Sequence, residues 1–277
     1  MRKSFFYSLL TISLLSMTSI DTVIAQQKEV KVFAHRGGVS EFDENTIHAF
    51  EETYRKGIRG YETDIRMTKD GHLVIFHDDN FSRIVGIDGS VEEITLAELK
   101  KLRTKKGNPI PTVDEFLDFL KNKDGLYVEF EMKTKGKYYD EQILSKYCNE
   151  LYTKVNKAKL PNSTYLFTSF DKRPLIFLKE KDKDVDLLYI KSEALSQAVL
   201  DEAKAMGISR IGCRVEQTTR DMVDSAKKQG FIVSLWPGKS VNDFLLGVML
   251  GSDYLCTDVP IQVTEWVKNN ASWITLK

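Results

Sequence analysis

The sequence has no excess of either charge, no internal repeat and no low-complexity segment. Of its 277 residues, 40 are Lys or Arg and 40 are Asp or Glu, so the formal net charge is zero. No overall field therefore attracts nucleic acid or an anionic membrane, and any anion must be bound locally. Because hydrophobic residues make up an ordinary 42% of the chain, disorder is excluded and a folded core is expected.

Cysteine is scarce. Cys148, Cys213 and Cys256 are odd in number, far apart in sequence and without the spacing of a metal site. We expect them to be small buried residues. One disulfide is the alternative, should the chain mature in an oxidising compartment.

The first 25 residues differ from the rest of the chain. Positive charge at residues 1–3 precedes an apolar segment over Phe5 to Leu15, and Ala25 is a small residue suited to cleavage. This pattern predicts a secretory signal peptide over residues 1–25 and a mature domain over residues 26–277, exported to a periplasm or secreted. An uncleaved anchor is the alternative, but the apolar segment is shorter than the roughly 20 residues that a span needs. We therefore predict no integral membrane span in the mature chain.

After residue 26, strand-like and helix-like segments alternate, as in a parallel sheet covered by helices. The predicted strands are Val30 to Ala34, Gly60 to Ile65, Leu73 to Phe76, Leu126 to Met132, Thr164 to Thr168, Asp186 to Ile190, Arg210 to Cys213, Phe231 to Trp236 and Asp253 to Thr257. The predicted helices include Thr46 to Lys56 with Asn45 as its N-cap, Leu96 to Leu102, Val113 to Leu120, Asp140 to Tyr152 and Thr218 to Lys228.

One of these nine strands does not belong to a barrel. The segment Thr68 to Gly71 carries the Asp-Gly signal of a tight hairpin, which joins antiparallel strands. Leu73 to Phe76 should therefore fold back beside Gly60 to Ile65 and carry His77 toward that strand. The remaining eight strands predict an α/β TIM (β/α)8 barrel, with an added β-hairpin and a short insertion over Asn80 to Thr112 at its C-terminal face.

Two histidines and two acids lie at or near the ends of these strands. His35 and His77 each follow a short apolar segment, where barrel strands commonly carry catalytic groups. Glu62 and Asp64 are two residues apart, so both carboxylates project from the same side of a strand. The sequence therefore offers two imidazoles for proton transfer and a paired-carboxylate site for a hard cation.

The strand Leu126 to Met132 alternates strictly, and Glu129, Glu131 and Lys133 share one of its sides. On an antiparallel edge strand, that side would be solvated. In a barrel both sides are covered, so these charges need partners. We predict that Glu131 completes the cation site and that Lys133 faces a phosphate. Glu129 is either a further ligand or a partner of Lys133, with the second role preferred.

These residues lie within motifs that resemble those of the glycerophosphodiester phosphodiesterase family, in the group of TIM barrels related to phosphatidylinositol phospholipases. The resemblance covers nearly all of the mature chain. The matching motifs are H-R-G-G at 35–38, E-N-T at 44–46, E-T-D at 62–64, T-K-D-G at 68–71, F-H-D at 76–78, I-P-T at 110–112, E-M-K at 131–133, S-F-D at 169–171, Trp236 and T-D-V-P at 257–260.

The resemblance implies a phosphoric diester hydrolase that converts small glycerophosphodiesters to glycerol 3-phosphate and an alcohol. The implied site comprises His35 and His77 as general acid and base, Glu62, Asp64 and Glu131 as ligands of one divalent metal ion, Arg36 and Lys133 as phosphate contacts, and Glu44 as a supporting residue. Oxygen ligands alone favour Ca²⁺ or Mg²⁺ over Zn²⁺.

The roles of several motif residues stay open. Trp236 either lines the pocket for the glycerol or alcohol group or packs at a strand end. Ser169 and Asp258 occupy motif positions that ordinary strand-end hydrogen bonding explains equally well. Lys239, where the family has a small polar segment, is a candidate contact for a second anionic group. His48 is expected to have no catalytic role, and the same holds for His72.

Two other functions compete with hydrolysis of glycerophosphodiesters. A phospholipase acting on lysophospholipid or inositol phospholipid head groups would need an apolar rim at the mouth, but apolar residues are only scattered through Asn80 to Ile110. A silent exported binding protein would not need the full catalytic set. The nucleophile is either the substrate's own glycerol 2-hydroxyl or water, and the oligomeric state is not predicted.

Overall fold

The computed structural model describes residues 27–277, so the predicted signal peptide lies outside the described residues. The strands are β1 Lys28–Ala34, β2 Gly60–Met67, β3 Leu73–Ile75, β4 Tyr127–Met132, β5 Thr164–Ser169, β6 Leu187–Ala194, β7 Arg210–Arg214, β8 Ile232–Gly238, β9 Tyr254–Thr257 and β10 Ile274–Leu276. The helices are α1 Ile47–Arg55, α2 Leu96–Leu99, α3 Val113–Leu120, α4 Glu141–Ala158, α5 Lys172–Lys181, α6 Gln197–Ala205, α7 Arg220–Lys228, α8 Val241–Leu250 and α9 Pro260–Asn270. Within residues 27–277, no helix combines the length and apolar character that a bilayer span requires.

Eight parallel strands form a closed barrel, in the order β1, β2, β4, β5, β6, β7, β8 and β9, with β9 pairing back to β1. Strand β3 runs antiparallel to β2, with Ile65 opposite Ile75. The predicted TIM barrel and hairpin are therefore confirmed. Strand β10, which was not predicted, pairs in parallel with the start of β1 outside the ring.

The barrel strands separate two apolar layers. On β4, Val128, Phe130 and Met132 belong to the large cluster between strands and helices, where the Phe130 ring centroid lies 5.9 Å from that of Phe116. A smaller cluster fills the interior and includes Phe33 and Leu188. Such side chains make the barrel a packed core and not an open channel.

The connection from residue 80 to residue 112 carries its own small core. Its helix α2 is shorter than predicted, although a capping box between Thr95 and Glu98 fixes its start. The side chains that make up this core are Val74, Phe76, Phe81, Val91, Leu99 and Ile110. The predicted insertion is thus a packed segment that rests on the β2–β3 hairpin through Val74 and Phe76, a contact that the sequence analysis did not predict.

All three cysteines are free and buried, as expected of small apolar residues. Burial raises the pKa of Cys148 and of Cys213 to about 12, so both thiols stay protonated at neutral pH. The alternative of one disulfide is not found among these residues.

Candidate active site

His35 and His77 face the same cavity, which has a volume of about 130 Å³ and lies above the inner apolar cluster. His35 begins a short 3-10 turn directly after β1. His77 follows β3, and the β2–β3 hairpin brings it to the same end of the barrel. The placement of His77 in the same site as His35, predicted from the T-K-D-G turn, is confirmed.

Each histidine is held by an aspartate. Nδ1 of His35 lies 2.6 Å from Oδ1 of Asp258, and Nδ1 of His77 lies 2.7 Å from Oδ1 of Asp78. A carboxylate at Nδ1 favours the tautomer in which Nδ1 carries the proton, so Nε2 of both rings is left for proton transfer in the cavity. Asp258 is the aspartate of the T-D-V-P motif after β9. Ring orientation therefore explains its position better than strand-end hydrogen bonding does.

Three buried carboxylates meet beside the histidines. Glu62 and Asp64 lie on β2 and Glu131 on β4, where the strand register places Asp64 opposite Glu131. One carboxylate oxygen from each lies within 4.8 Å of the other two. Within residues 27–277, Oε1 of Glu62 and Oδ1 of Asp64 are buried without a hydrogen-bond partner. Such oxygens are the ligands that a hard divalent cation prefers, so the acidic cluster fits one.

The pKa values of Glu62 and Asp64 are shifted in opposite directions. Burial, together with the negative charges of Asp64 and Glu131, raises the pKa of Glu62 well above its usual range. Burial would raise the pKa of Asp64 too, but the positive charges of His77, Lys133 and the Arg36 guanidinium outweigh it and hold that pKa well below its usual range. A cation bound among these oxygens would relieve the repulsion on Glu62.

Arg36 lies against the acidic cluster in an unusual backbone conformation. Its φ of 51° is in the left-handed region, which is rare for residues other than glycine, Asn and Asp. That conformation directs its N–H to Oε2 of Glu62 at 3.0 Å. The guanidinium donates from Nη1 to Glu44 at 3.0 Å, and Nε lies 3.4 Å from Oδ2 of Asp64. Arg36 is therefore a cation fixed at the edge of the site.

Glu44 connects Arg36 to the insertion. Its carboxylate accepts hydrogen bonds from Arg83 at 2.6 and 2.8 Å, and Arg83 also donates to Asp78 at 2.7 and 2.8 Å. Burial would raise the pKa of Asp78, but its hydrogen bonds with His77 and Arg83 outweigh burial and hold that pKa well below its usual range. The supporting role of Glu44 is thus an ionic link. Sequence analysis missed Arg83, which lies in no motif.

Asn45 and Thr46 explain the rest of the E-N-T motif. The predicted N-cap of α1 is wrong by one residue, because the side chain of Thr46 accepts the capping hydrogen bond from Ala49. Asn45 instead has a φ of 57° and donates from Nδ2 to Oδ2 of Asp64 at 2.8 Å. Its amide oxygen accepts from Thr63 at 2.9 Å, which fixes the orientation of the amide. Asn45 therefore positions a carboxylate of the acidic cluster.

Lys133 contacts the acidic cluster through a different Asp64 oxygen from the one that Arg36 contacts. Its Nζ lies 2.8 Å from Oε1 of Glu131 and 3.5 Å from Oδ1 of Asp64. Burial would lower the pKa of Lys133, but these two carboxylates outweigh it and raise that pKa. The lysine thus stays charged beside the acidic cluster.

Glu129 is buried below the cluster and its partner is Tyr127, whose hydroxyl donates to it. The preferred partnership with Lys133 is therefore not found, since the Lys133 ammonium contacts Glu131 and Asp64 instead. Burial, and then the charge of Glu131, raises the pKa of Glu129 to about 8. Glu129 is thus largely protonated at neutral pH when no cation is bound.

Trp236 forms part of the cavity wall. Its ring packs edge-on against Phe170, with centroids 5.5 Å apart, and the guanidinium of Arg214 lies 5.2 Å from its centroid. Within residues 27–277, its buried Nε1 has no hydrogen-bond partner. The ring therefore packs at a strand end and also lines the cavity.

The sequence profile of the glycerophosphoryl diester phosphodiesterase family matches residues 35–262. The glycerophosphodiester phosphodiesterase of Caldanaerobacter subterraneus is 29% identical over 248 residues, which is 86% of this chain and 97% of that protein. An Oleispira antarctica phosphodiesterase, solved with the product sn-glycerol-3-phosphate, has a similar fold at 23% identity, with a TM-score of 0.77 over 86% of this chain and 96% of its own. For a Parabacteroides distasonis glycerophosphodiester phosphodiesterase, the TM-score is 0.75 at 23% identity, over 89% of this chain and all of the other. The protein belongs to the glycerophosphoryl diester phosphodiesterase family and is, by that membership, a phosphoric diester hydrolase.

Proposed function

We propose that the protein hydrolyses glycerophosphodiesters to glycerol 3-phosphate and an alcohol, with Glu62, Asp64 and Glu131 holding one Ca²⁺ or Mg²⁺ ion. The observation that carries this proposal is that, within the described residues, one buried carboxylate oxygen of Glu62 and one of Asp64 accept no hydrogen bond, beside a cavity lined by two aspartate-supported histidines. The Oleispira antarctica relative, which was solved with sn-glycerol-3-phosphate, supports the product.

The surrounding cations suit a phosphodiester. Negative charge grows on the phosphoryl oxygens as the nucleophile arrives, and groups placed for that charge stabilise the transition state more than the ground state. The bound ion would supply positive charge for one of these oxygens. The Arg36 guanidinium and the Lys133 ammonium lie within 3.4 and 3.5 Å of Asp64 carboxylate oxygens, so both flank the same position. We assign them to the non-bridging phosphate oxygens.

His35 and His77 divide the proton transfers between them. One Nε2 accepts the proton of the attacking hydroxyl, and the other donates a proton to the departing alcohol oxygen. If the substrate's glycerol 2-hydroxyl attacks, a cyclic phosphate forms and water opens it in a second step. If water attacks, no cyclic species forms. Rapid-quench detection of cyclic glycerophosphate distinguishes the two routes, because solvent ¹⁸O enters the product phosphate in both and only the first passes through the cyclic species.

A product assay tests the proposed function. Purified protein is incubated with glycerophosphocholine, glycerophosphoethanolamine, glycerophosphoinositol or lysophosphatidylcholine, with Ca²⁺, with Mg²⁺ or with a chelator. We expect glycerol 3-phosphate from the first three substrates, and only when a divalent ion is present. Turnover of lysophosphatidylcholine alone would favour the phospholipase, and binding without turnover would favour the silent protein.

The Asp258→Asn variant tests how His35 is held. Asn keeps the shape of the side chain but removes the charge that favours a proton on Nδ1 and stabilises the imidazolium. Loss of the orienting carboxylate in a comparable dyad lowers kcat by about 10⁴-fold, and we expect a decrease of about 10² to 10⁴-fold here. Steady-state kinetics measures it, with exposed Asp221→Asn as the control. A change in KM alone would contradict this role, and Asp258→Glu should restore part of kcat.

A further inference from the structure

A second pocket, of about 230 Å³, lies next to the catalytic cavity, and Glu131 and Phe170 line both. Since Glu131 belongs to the acidic cluster, a phosphodiester bound there has access to both spaces. Its two ester arms diverge from a tetrahedral phosphorus. With the glycerol arm in the catalytic cavity, the second pocket lies where the arm carrying the leaving alcohol would extend.

The second pocket is polar, with a positive charge left over. Its charged lining residues are the cations Arg66, Lys133 and Lys135 and the acids Asp79, Glu131 and Asp171. Arg66 is paired with Glu92 and Asp79, Lys133 with Glu131, and Asp171 with Arg173. Lys135 is different: it is exposed, and within residues 27–277 its ammonium forms no ion pair. An uncompensated cation therefore stands at the edge of this pocket, whereas Lys239 does not line it.

Cationic side chains of the protein already lie over the rings of Phe170 and Trp236. The ammonium groups of Lys133 and Lys135 lie 5.9 and 5.5 Å from the Phe170 ring centroid, and the Arg214 guanidinium lies 5.2 Å from that of Trp236. Quaternary ammonium groups such as choline are bound by open aromatic faces. In the second pocket, which Phe170 lines and Trp236 does not, a cationic leaving alcohol would find the Phe170 face occupied and would meet the charge of Lys135 as well.

We propose that the second pocket is the subsite for the leaving alcohol, and that Lys135 makes it select alcohols bearing a phosphate or another anionic group over neutral polyols, and both over choline-type alcohols. This inference rests on the proposed function, because it concerns the second arm of the same substrate. The segment Lys133 to Lys137 reads K-T-K-G-K, so it also offers a matched control at Lys137, which lines neither pocket.

The test compares kcat/KM for glycerophosphoinositol 4-phosphate, glycerophosphoinositol and glycerophosphocholine with the metal-loaded protein. We expect the values to decrease in that order at low salt, and the differences to shrink in 1 M NaCl because ions screen the exposed ammonium. Lys135→Glu should shift the ratio of the anionic to the choline substrate toward choline by about tenfold, as reversal of one exposed charge near the alcohol predicts. Lys137→Glu should shift it by less than about twofold.

Two results would overturn the inference and leave the proposed function intact: a wild-type preference for glycerophosphocholine, or a Lys135→Glu variant whose substrate ratio is unchanged. Equal shifts for Lys135→Glu and Lys137→Glu would also overturn it, since they would reflect the general surface potential. Absence of turnover for all three substrates in the presence of metal would instead contradict the proposed function. Thermal unfolding of each variant confirms that the compared proteins are folded.

Discussion

Alanine at His35 or at His77 should lower kcat for glycerophosphodiester hydrolysis by about 10² to 10⁴-fold, the usual contribution of a positioned general acid or base. An aspartate at Nδ1 orients each ring. Each alanine variant therefore loses a proton acceptor or donor that is already held in position. Because the two rings act at opposite ends of one displacement, we expect the double variant to lose little more than the worse single one. Steady-state and single-turnover kinetics measure these effects.

His72→Ala is the matched control, because this histidine is exposed and lies in the same hairpin as His77. It should keep wild-type kcat. The metal-induced rise in melting temperature should persist in His35→Ala, since that ring is not proposed as a ligand. Near-normal turnover by either catalytic variant would exclude both proposed routes, with the glycerol hydroxyl or with water as the nucleophile.

Removing the divalent ion should abolish turnover, and Glu62→Gln should reproduce that loss while making the metal-free protein more stable. Lewis-acid stabilisation of a phosphoryl oxygen contributes several kcal/mol, so we expect kcat/KM of the variant to fall by at least about a hundredfold. The stability effect has the opposite sign. Burial and two neighbouring acids raise the pKa of Glu62, so above the pKa of an unfolded carboxyl, folding must either take up a proton there or bury an unfavourable charge. A neutral amide carries neither cost.

Thermal or urea unfolding with and without Ca²⁺ or Mg²⁺ provides a measurement independent of activity. At about 100 times its Kd, a bound ion should raise the free energy of unfolding of the wild-type protein by about 2.7 kcal/mol, and that of Glu62→Gln by much less. Glu141→Gln, which neutralises an exposed acid on α4, is the control and should respond as the wild type does. Equal metal-induced stabilisation of the wild type and Glu62→Gln would place the ion elsewhere.

The sequence predicted the barrel well because each strand is a local signal. Apolar segments between helical segments, and one Asp-Gly turn, are visible within short windows, and eight of the predicted strands close the ring. Strand β10 was missed because three residues carry almost no pattern, and because its pairing with Lys28–Val30 joins the two ends of the described chain. Helix α4 extends to Ala158, beyond the prediction, and Val155, four residues after Leu151, continues its buried apolar face.

In the site too, the residues that local sequence patterns mark were predicted, and those that depend on long-range contacts were not. Alternation on β4 and the two-residue spacing on β2 were enough to predict the acidic cluster of Glu62, Asp64 and Glu131. The residues that orient the site were not predicted, because their contacts depend on the folded chain. Asp258 reaches His35 across 223 residues, and Arg83 reaches Glu44 across 39. For Asp258, the T-D-V-P motif was the available signal, whereas Arg83 had none.

The pairing of β10 with β1 brings the ends of the described chain together at the floor of the barrel. The side chain of Gln27 donates to Thr275, and the N–H of Lys277 donates to the carbonyl of Val30. His35 lies at the other end of the same strand, facing the catalytic cavity. A support or fusion partner joined at Gln27 or at Lys277 would thus attach on the opposite side from the mouth, and substrate would still approach from open solvent.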